Sequence, residues 1–189
     1  KLKYTAWKLD DLLGDASCDI VSDAPLHAAT PHSMKISINN VYTDGFIKLI
    51  NEGYWGVPVR KNEKYNLRFF LRASQDYKGG VVARIVSSDN KVLAEKRFNV
   101  ECKEGWNEYV GVLRAKDTDF KGSFELCFDA PGTVWVDYVS LFPEKTFNCR
   151  ENGLRADVAQ KLADLKPAFI RWPGGCIVEG ATIENRVKW

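Results

Sequence analysis

The chain has 189 residues and a formal net charge of +2, with 45% hydrophobic and 28% charged residues. This length allows one well-packed core plus a further fragment, and the nearly neutral charge gives no reason to expect a nucleic acid or an acidic membrane surface as partner. We expect no membrane-spanning helix and no signal peptide, because no apolar run is long enough and the first seven residues have no apolar region before a cleavage site.

Residues 25–33 are predicted to be irregular, and they contain both histidines of the chain, His27 and His32. We interpret them as loop residues, because nothing around them supports a catalytic pair. The cysteines contain no Cys-x-x-Cys pair and have no histidine at ligand spacing, so a zinc site is not expected. Their low density argues against a disulfide scaffold and favours free thiols. The five cysteines are Cys18, Cys102, Cys127, Cys149 and Cys176.

Residues 34–142 consist of short segments with apolar side chains at every second position, separated by polar turns. This pattern is typical of a β-sandwich. In residues 65–73, apolar Leu67 and Phe69 alternate with side chains such as Arg68. One side of this strand is therefore expected in the core and the other mostly in water.

A hairpin is predicted where residues 81–86 and 92–100 flank the polar segment 87–91, which contains the turn-forming pair Asp89-Asn90. Pro131-Gly132 marks a tight turn between the last two predicted strands. The remaining strands are predicted over residues 106–113, 124–129 and 134–142.

The tail is predicted to supply one helix, one parallel strand and one loop. Residues 152–167 have apolar side chains at helical spacing and end at Pro167. Residues 168–172 form a short apolar run, and Gly174-Gly175 follows, where the main chain can approach a ligand closely. The apolar helical positions are Leu154, Val158, Leu162 and Leu165.

Residues 153–180 resemble, almost position for position, the segment that opens the catalytic (β/α)8 barrel in the α-L-arabinofuranosidases of glycoside hydrolase family 51. Asn185, Arg186 and Trp189 match this family as well. The segment from Cys176 to Gly180 is similar to the branch of the family, known from plants and gut bacteria, that carries an extra β-sandwich ahead of the barrel.

The closing segment, residues 134–142, resembles the last strand of jelly-roll carbohydrate-binding modules of the galactose-binding-like group. The resemblance to these modules also rests on residues 51–57 and on Tyr65, which opens the next strand. Together the two resemblances imply a mainly β chain. Residues 1–145 would be a jelly-roll β-sandwich of the carbohydrate-binding-module type. Residues 146–189 would be the first helix and strand of a truncated (β/α)8 barrel.

In the sandwich, sugar recognition would need flat apolar rings and side chains that donate to hydroxyl groups. Tyr54, Trp55 and Trp135 are the candidate rings. The alternative is that the tryptophans are packing residues. Asp137 lies where modules of this group often hold a structural calcium ion. The alternative is that its carboxylate only forms a surface hydrogen bond. The candidate hydrogen-bond donors to sugar hydroxyl groups are Arg68, Arg72 and Arg84. The alternative is that these arginines lie on a solvated face and bind no sugar.

In the tail, the resemblance implies that the main chain of Cys176 contacts the arabinose ring, with Gly174, Gly175 and Trp172 shaping the site. Glu179 and Glu184 are not expected to be catalytic. The family retains configuration with two glutamates about 5 Å apart, on later barrel strands that this chain does not contain. No catalytic residue is therefore expected here.

The resemblance implies a fragment of a retaining exo-α-L-arabinofuranosidase that removes terminal arabinofuranose from arabinose-containing polysaccharides, with the chain alone inactive. The alternatives are a stand-alone carbohydrate-binding protein and a structural spacer. No cofactor is required for the activity, and the structural calcium ion considered above is an alternative for the sandwich alone. The parent protein is expected to be secreted, periplasmic or on the cell surface, and the exposed barrel segment is expected to favour self-association.

Overall fold

The computed structural model describes residues 6–101 and 105–171 together with Thr182 and Glu184. The chain divides into two compact units, Lys1–Lys145 and Thr146–Trp189. The strands of the first unit are β1 Lys8–Asp10, β2 Gly14–Val21, β3 Ser33–Val41, β4 Ile47–Asn51, β5 Val57–Val59, β6 Lys64–Ala73, β7 Gly80–Val86, β8 Val92–Asn99, β9 Asn107–Arg114, β10 Asp119–Phe128 and β11 Gly132–Pro143. The second unit contains a short 3-10 turn, Phe147–Cys149, and the helix α1, Ala156–Asp164.

The strands form two antiparallel sheets. The first sheet has the order β1-β4-β10-β7-β8, with β5 paired to β10, and the second has the order β2-β3-β11-β6-β9. Strands that follow one another along the chain therefore often belong to different sheets. The predicted mainly β sandwich is confirmed.

The core lies between the inner faces of the two sheets. In β6, the side chains of Leu67, Phe69 and Leu71 are buried while those of the alternate positions are not, as the alternation predicts. Phe69 stacks on Tyr109 with ring centroids 5.2 Å apart, and Phe98 meets Phe69 edge to face at 5.2 Å. Each fully buried side chain of this size contributes about 1.5–3 kcal/mol to stability through the hydrophobic effect.

The predicted hairpin is present, because β7 pairs with β8 and Val86 lies opposite Val92. Asn90 supplies the positive φ of 63° that its turn needs. Gly132 in the Pro-Gly turn also has a positive φ, of 130°, and a Cβ at this position would lie 2.7 Å from the Cα of Tyr77. This turn joins strands of opposite sheets, since β10 and β11 lie one in each.

The beginning of the first unit contains two strands that the sequence did not predict and an irregular segment that it did predict. Strands β1 and β2 were not predicted, and β2 pairs with β3 along its whole length. The segment with His27 and His32 is largely irregular as expected, with one isolated bridge between His27 and Thr30, and both histidines are exposed.

The predicted helix forms over the shorter range Ala156–Asp164, so Leu154 lies before it and Leu165 is the residue that follows it. Its apolar stripe is largely exposed, because the four predicted residues, Leu154, Val158, Leu162 and Leu165, are 49% to 75% exposed. The predicted strand does not appear over residues 168–171, which have no regular structure, and the rest of it lies outside the described residues. A parallel strand is stable only when hydrogen-bonded to neighbouring strands, and the described part of this unit offers none. Within the described residues, no helix is long and apolar enough to cross a membrane.

Candidate functional site

Tyr54 and Trp55 form an exposed aromatic pair in the turn between β4 and β5. Their side chains are 89% and 86% exposed, and their rings meet edge to face with centroids 4.8 Å apart. Gly53 and Gly56 on either side have φ values of 64° and 104°. These angles are strained for other residues, so the glycines fix the shape of the turn that presents the rings.

The turn lies against β10. A Cβ at Gly56 would lie 2.4 Å from the Cα of Lys121 and 2.8 Å from the carbonyl oxygen of Phe120. The ring of Phe120 is itself exposed and has the guanidinium of Arg60 at 5.9 Å from its centroid. This end of the first sheet therefore carries three exposed aromatic side chains, which we call the aromatic turn surface: Tyr54, Trp55 and Phe120.

Trp135 lies in a different place, in the middle of the second sheet, opposite Lys35 on β3 and Arg72 on β6. The Arg72 guanidinium lies 4.0 Å from the centroid of the indole, and the Lys35 amine lies 5.6 Å from it. The indole Nε1 is buried and has no hydrogen-bond partner. Trp135 is therefore half-buried, with a cation against its ring, and the structure does not bring it together with Tyr54 and Trp55.

Arg72 also forms hydrogen bonds with the loop that follows β2. Its Nη2 donates to the side chain of Asp23 at 3.0 Å and to the Asp23 carbonyl at 3.3 Å. The indole Nε1 of Trp106 donates to the carbonyl of Ala24 at 2.9 Å. Burial opposes the ionisation of Asp23, but the hydrogen bond from Arg72 and the nearby positive charges hold its pKa below the ordinary value.

The other two predicted donors are also engaged. Arg68 pairs with Glu108 and lies 5.4 Å over the ring of Phe70. Arg84 pairs with Glu95 at 3.2 Å and lies 4.7 Å over the ring of Phe46. All three arginines thus contact carboxylates and aromatic rings of the sandwich, and none of these contacts is with Tyr54 or Trp55.

Asp137 is half-buried at an irregularity of β11, where the register with β6 shifts between Asp137 and Ser140. Burial raises its pKa, while a hydrogen bond from the Tyr138 amide at 2.7 Å opposes that rise. Tyr138 has a φ of 47°, a strained value for a tyrosine. Asp137 and Tyr138 line a cavity of about 270 Å³ together with Trp7, His32 and Ser33.

The surroundings of Asp137 offer few ligands for a calcium ion, which takes about six to eight oxygens. Among the described residues, no three His, Cys, Asp or Glu side chains gather in one place. Asp137 is the one carboxylate among the residues that line the cavity, and the predicted calcium ion stays a prediction. Sequence reasoning missed Trp7 and Ser33 as neighbours of Asp137, and no signal in the sequence links them.

In the tail, Trp172, Gly174, Gly175, Cys176 and also Glu179 lie outside the described residues. Glu184 is exposed, and a hydrogen bond from the Thr182 side chain lowers its pKa. Such a carboxyl is ionised at neutral pH, whereas the general acid of a glycosidase needs a raised pKa.

Cysteine chemistry is not supported in the part of the chain that the structure describes. Cys127 and Cys149 are free thiols and Cys18 is half-buried, and Cys102 and Cys176 lie outside the described residues. Burial raises the pKa of Cys127 to about 12, so this thiol is protonated and unreactive at neutral pH.

Comparison with known proteins relates both units to one family. The family model described as the alpha-L-arabinofuranosidase 1 domain matches residues 161–189. Alpha-L-arabinofuranosidase A of Aspergillus kawachii is 34% identical over 192 aligned residues, which cover 98% of this chain and 29% of the relative. Alpha-L-arabinofuranosidase 1 of Arabidopsis thaliana is 33% identical, covering 77% of this chain and 21% of the relative.

Solved structures agree. An arabinose-bound α-L-arabinofuranosidase of family GH51 superposes with a TM-score of 0.86 at 30% identity, covering 97% of this chain and 30% of the enzyme. A CBM4 protein superposes with a TM-score of 0.53 at 16% identity over 74% of this chain and 95% of the module, a likeness of fold alone.

The chain spans less than a third of the length of the curated relatives it matches. Nearly all of it aligns with the first of them and with the solved enzyme, and the family model matches its tail. The chain belongs to the α-L-arabinofuranosidases of glycoside hydrolase family 51.

Proposed function

We propose that this chain contributes the β-sandwich and the first barrel segment of a retaining exo-α-L-arabinofuranosidase. The complete enzyme would release terminal, non-reducing arabinofuranose from arabinose-containing polysaccharides. The observation that carries this proposal is the superposition of 97% of the chain on an arabinose-bound enzyme at a TM-score of 0.86. Because the substrate is polymeric, we place the complete enzyme outside the cytoplasm: secreted, periplasmic or on the cell surface.

The main chain of Gly174, Gly175 and Cys176 would line the sugar subsite in this proposal, with Trp172 beside it. Glycines suit this role because they let backbone N–H groups come close to a ligand. No cofactor is needed, since hydrolysis with retention requires only two carboxyl groups about 5 Å apart.

The chain alone is proposed to be inactive, because the two catalytic carboxylates of the family are expected on later barrel strands. The test is the hydrolysis of an aryl α-L-arabinofuranoside by the 189-residue chain. We expect no turnover above buffer, with a longer protein that carries the whole barrel as the positive control. Turnover by the chain that is lost in Glu179→Gln or Glu184→Gln would contradict the proposal and would identify the carboxylate responsible.

A second function, carbohydrate binding by the sandwich, is favoured by the aromatic turn surface. Tyr54 and Trp55 are exposed and supported by a glycine-shaped turn. Rigid exposed rings can stack on the C–H face of a sugar at small entropic cost. Of the predicted rings, these two are accessible for stacking, whereas Trp135 is packed against Arg72.

Calorimetric titration with arabinan and arabinoxylan oligosaccharides tests this second function. A single small site implies a dissociation constant of about 10 μM to 1 mM. We expect the heat of binding to disappear in Trp55→Ala and to persist in Tyr42→Ala, which removes an exposed tyrosine elsewhere in the sandwich. If the wild-type chain gives no heat at millimolar ligand, the sandwich is a structural spacer in the enzyme.

A further inference from the structure

The segment between β2 and β3, residues 22–32, crosses one end of the second sheet. Strands β2 and β3 are neighbours, yet Asp23, two residues after β2, contacts Arg72 on β6. Two strands, β3 and β11, lie between β2 and β6 in the sheet. Because neighbouring strands are about 4.8 Å apart, the main chain spans about 14 Å from the end of β2 to reach Arg72. We call residues 22–32 the strap.

Few hydrogen bonds hold the strap in this position. Arg72 donates to the carboxylate and the carbonyl of Asp23, and the Trp106 indole donates to the carbonyl of Ala24. Within the described residues, the hydrogen bonds between the strap and other elements come from these two side chains. The Asp23 side chain is 54% exposed, and an ion pair so close to water stabilises a structure only weakly.

The strap also has little apolar anchoring. Leu26 and Pro31 are half-buried, and the other residues of the strap are exposed. Ala24, whose carbonyl accepts the bond from Trp106, has a φ of 48°. This left-handed conformation is strained for an alanine. Segments with few buried apolar contacts open locally at a lower free energy than the core, so the strap is the kind of segment that opens first.

Two buried donors lie unsatisfied beside the contacts of the strap. The Arg72 guanidinium lies 4.0 Å from the ring centroid of Trp135 and 5.8 Å from that of Trp106. Arg72 Nε and Trp135 Nε1 are both buried without a hydrogen-bond partner. A buried N–H group without a partner has lost its bond to water and gained nothing. Release of Asp23 would free the Arg72 side chain and admit water to both groups, which offsets the loss of the strap contacts.

We propose that the strap opens and closes while the rest of the sandwich stays folded, and that the contact between Arg72 and Asp23 controls this opening. In the closed state, Asp23 holds Arg72 against the ring of Trp135. In the open state, Arg72, Trp106 and Trp135 face the solvent as a cationic and aromatic surface of the second sheet, separate from the aromatic turn surface of the first. The device requires neither sugar binding nor arabinofuranosidase activity.

The test is native-state hydrogen exchange of the 189-residue chain, followed by NMR. The readouts are the indole N–H signals of Trp106 and Trp135, and the backbone amides of Leu67 and Phe69 in β6 are the reference for global unfolding. We expect both indoles to be protected from exchange, at least about tenfold less than the reference amides. Low urea concentrations should change the indole protection little, because strap opening exposes little surface, and should lower the protection of the amides steeply.

Variants of Asp23 test the control of opening. Asp23→Ala removes the carboxylate that binds Arg72 and should lower the protection of both indoles about threefold or more. Asp23→Asn keeps an acceptor but removes the charge, so its effect should be intermediate. Sodium chloride at about 1 M should lower the indole protection of the wild type and change that of Asp23→Ala less, because salt screens exposed ion pairs.

Glu52→Ala is the matched control. It breaks an exposed ion pair of the first sheet, in which Lys8 and Glu52 lie 2.7 Å apart. This pair is the same whether the strap is open or closed, so the indole protection should not change. Indole exchange with the same urea dependence as the reference amides overturns the proposal, because the strap would then open only on global unfolding. Indoles without protection, indoles unaffected by Asp23→Ala, or an equal effect of Glu52→Ala overturn it as well.

Discussion

Asp137 lies on β11, the central strand of the second sheet, in an environment that opposes ionisation of its carboxyl group. Burial raises its pKa above the ordinary 3.8, and the hydrogen bond from the Tyr138 amide only partly offsets this effect. Folding therefore favours the protonated form. The free energy of unfolding falls as the pH rises from below 3.8 through the folded pKa.

Replacing Asp137 with asparagine removes that loss while keeping an acceptor for the Tyr138 amide. Near pH 7 we expect Asp137→Asn to melt at the same temperature as the wild type or higher, and near pH 3 we expect this advantage to vanish. Thermal melts followed by circular dichroism at both pH values provide the measurement. A calcium ion bound to Asp137 would reverse the result near neutral pH, and EDTA would then lower the melting temperature of the wild type but not of the variant.

At the residue scale, the sequence identifies candidate aromatic residues but not their exposure. Tyr54, Trp55 and Trp135 are all aromatic, and their residue types do not indicate which of them is exposed. Trp55 is exposed because it lies in a turn between glycines, whereas Trp135 is covered because the register places Arg72 opposite it. Cross-strand register depends on the whole sheet, so a single sequence could not reveal the second case.

At the scale of elements, the strands with the clearest alternation were predictable. The β6 and β7–β8 segments combine apolar alternation with recognisable turn residues. Strand β2 has the sequence Gly-Asp-Ala-Ser-Cys-Asp-Ile-Val and is an edge strand with few buried positions. Its small and polar residues carry little periodicity, because tertiary pairing with β3 rather than intrinsic preference makes it a strand.

Helix α1 was predictable from its periodicity, but its packing was not, because Ala159 is the buried residue of the helix. Its apolar stripe is largely exposed. Exposed apolar stripes of this kind usually mark surfaces that are covered in an assembly or a larger fold. The exposure gives a physical reason for the predicted self-association of the chain.

We expect the 189-residue chain to associate reversibly as its concentration rises, and the double substitution Val158→Glu with Leu162→Glu to shift this association to at least about tenfold higher concentration. Sedimentation velocity over a concentration series measures the effect. Gln160→Glu introduces the same charge at an exposed residue on the opposite side of the helix and serves as the control. A wild-type chain that stays monomeric throughout, or an equal effect of Gln160→Glu, would contradict the prediction.

At the scale of the whole molecule, the described core and sheets of the sandwich belong to one compact unit. The main buried cluster and the strand pairs of both sheets lie within Lys1–Lys145. We therefore expect residues 1–145 produced alone to unfold in urea with the same midpoint as the full chain, within about 0.5 kcal/mol in stability. Leu67→Ala, which empties a buried position, should lower the stability of both proteins by about 2–5 kcal/mol. Aggregation or gradual unfolding of the shorter protein would contradict independent folding.

The strand order has a consequence for the time course of folding. Val134 pairs with Ala73 and Phe124 with Asn51, so most ladders join distant parts of the chain. The β7–β8 hairpin is a local exception, closed by a short turn. Pairing distant segments costs loop-closure entropy before the contacts form. We therefore expect this sandwich to fold slowly, with a folding time of about milliseconds to seconds. The hairpin is the element best placed to form early, and the ladders of β6 with β11 and of β4 with β10 would complete the fold last.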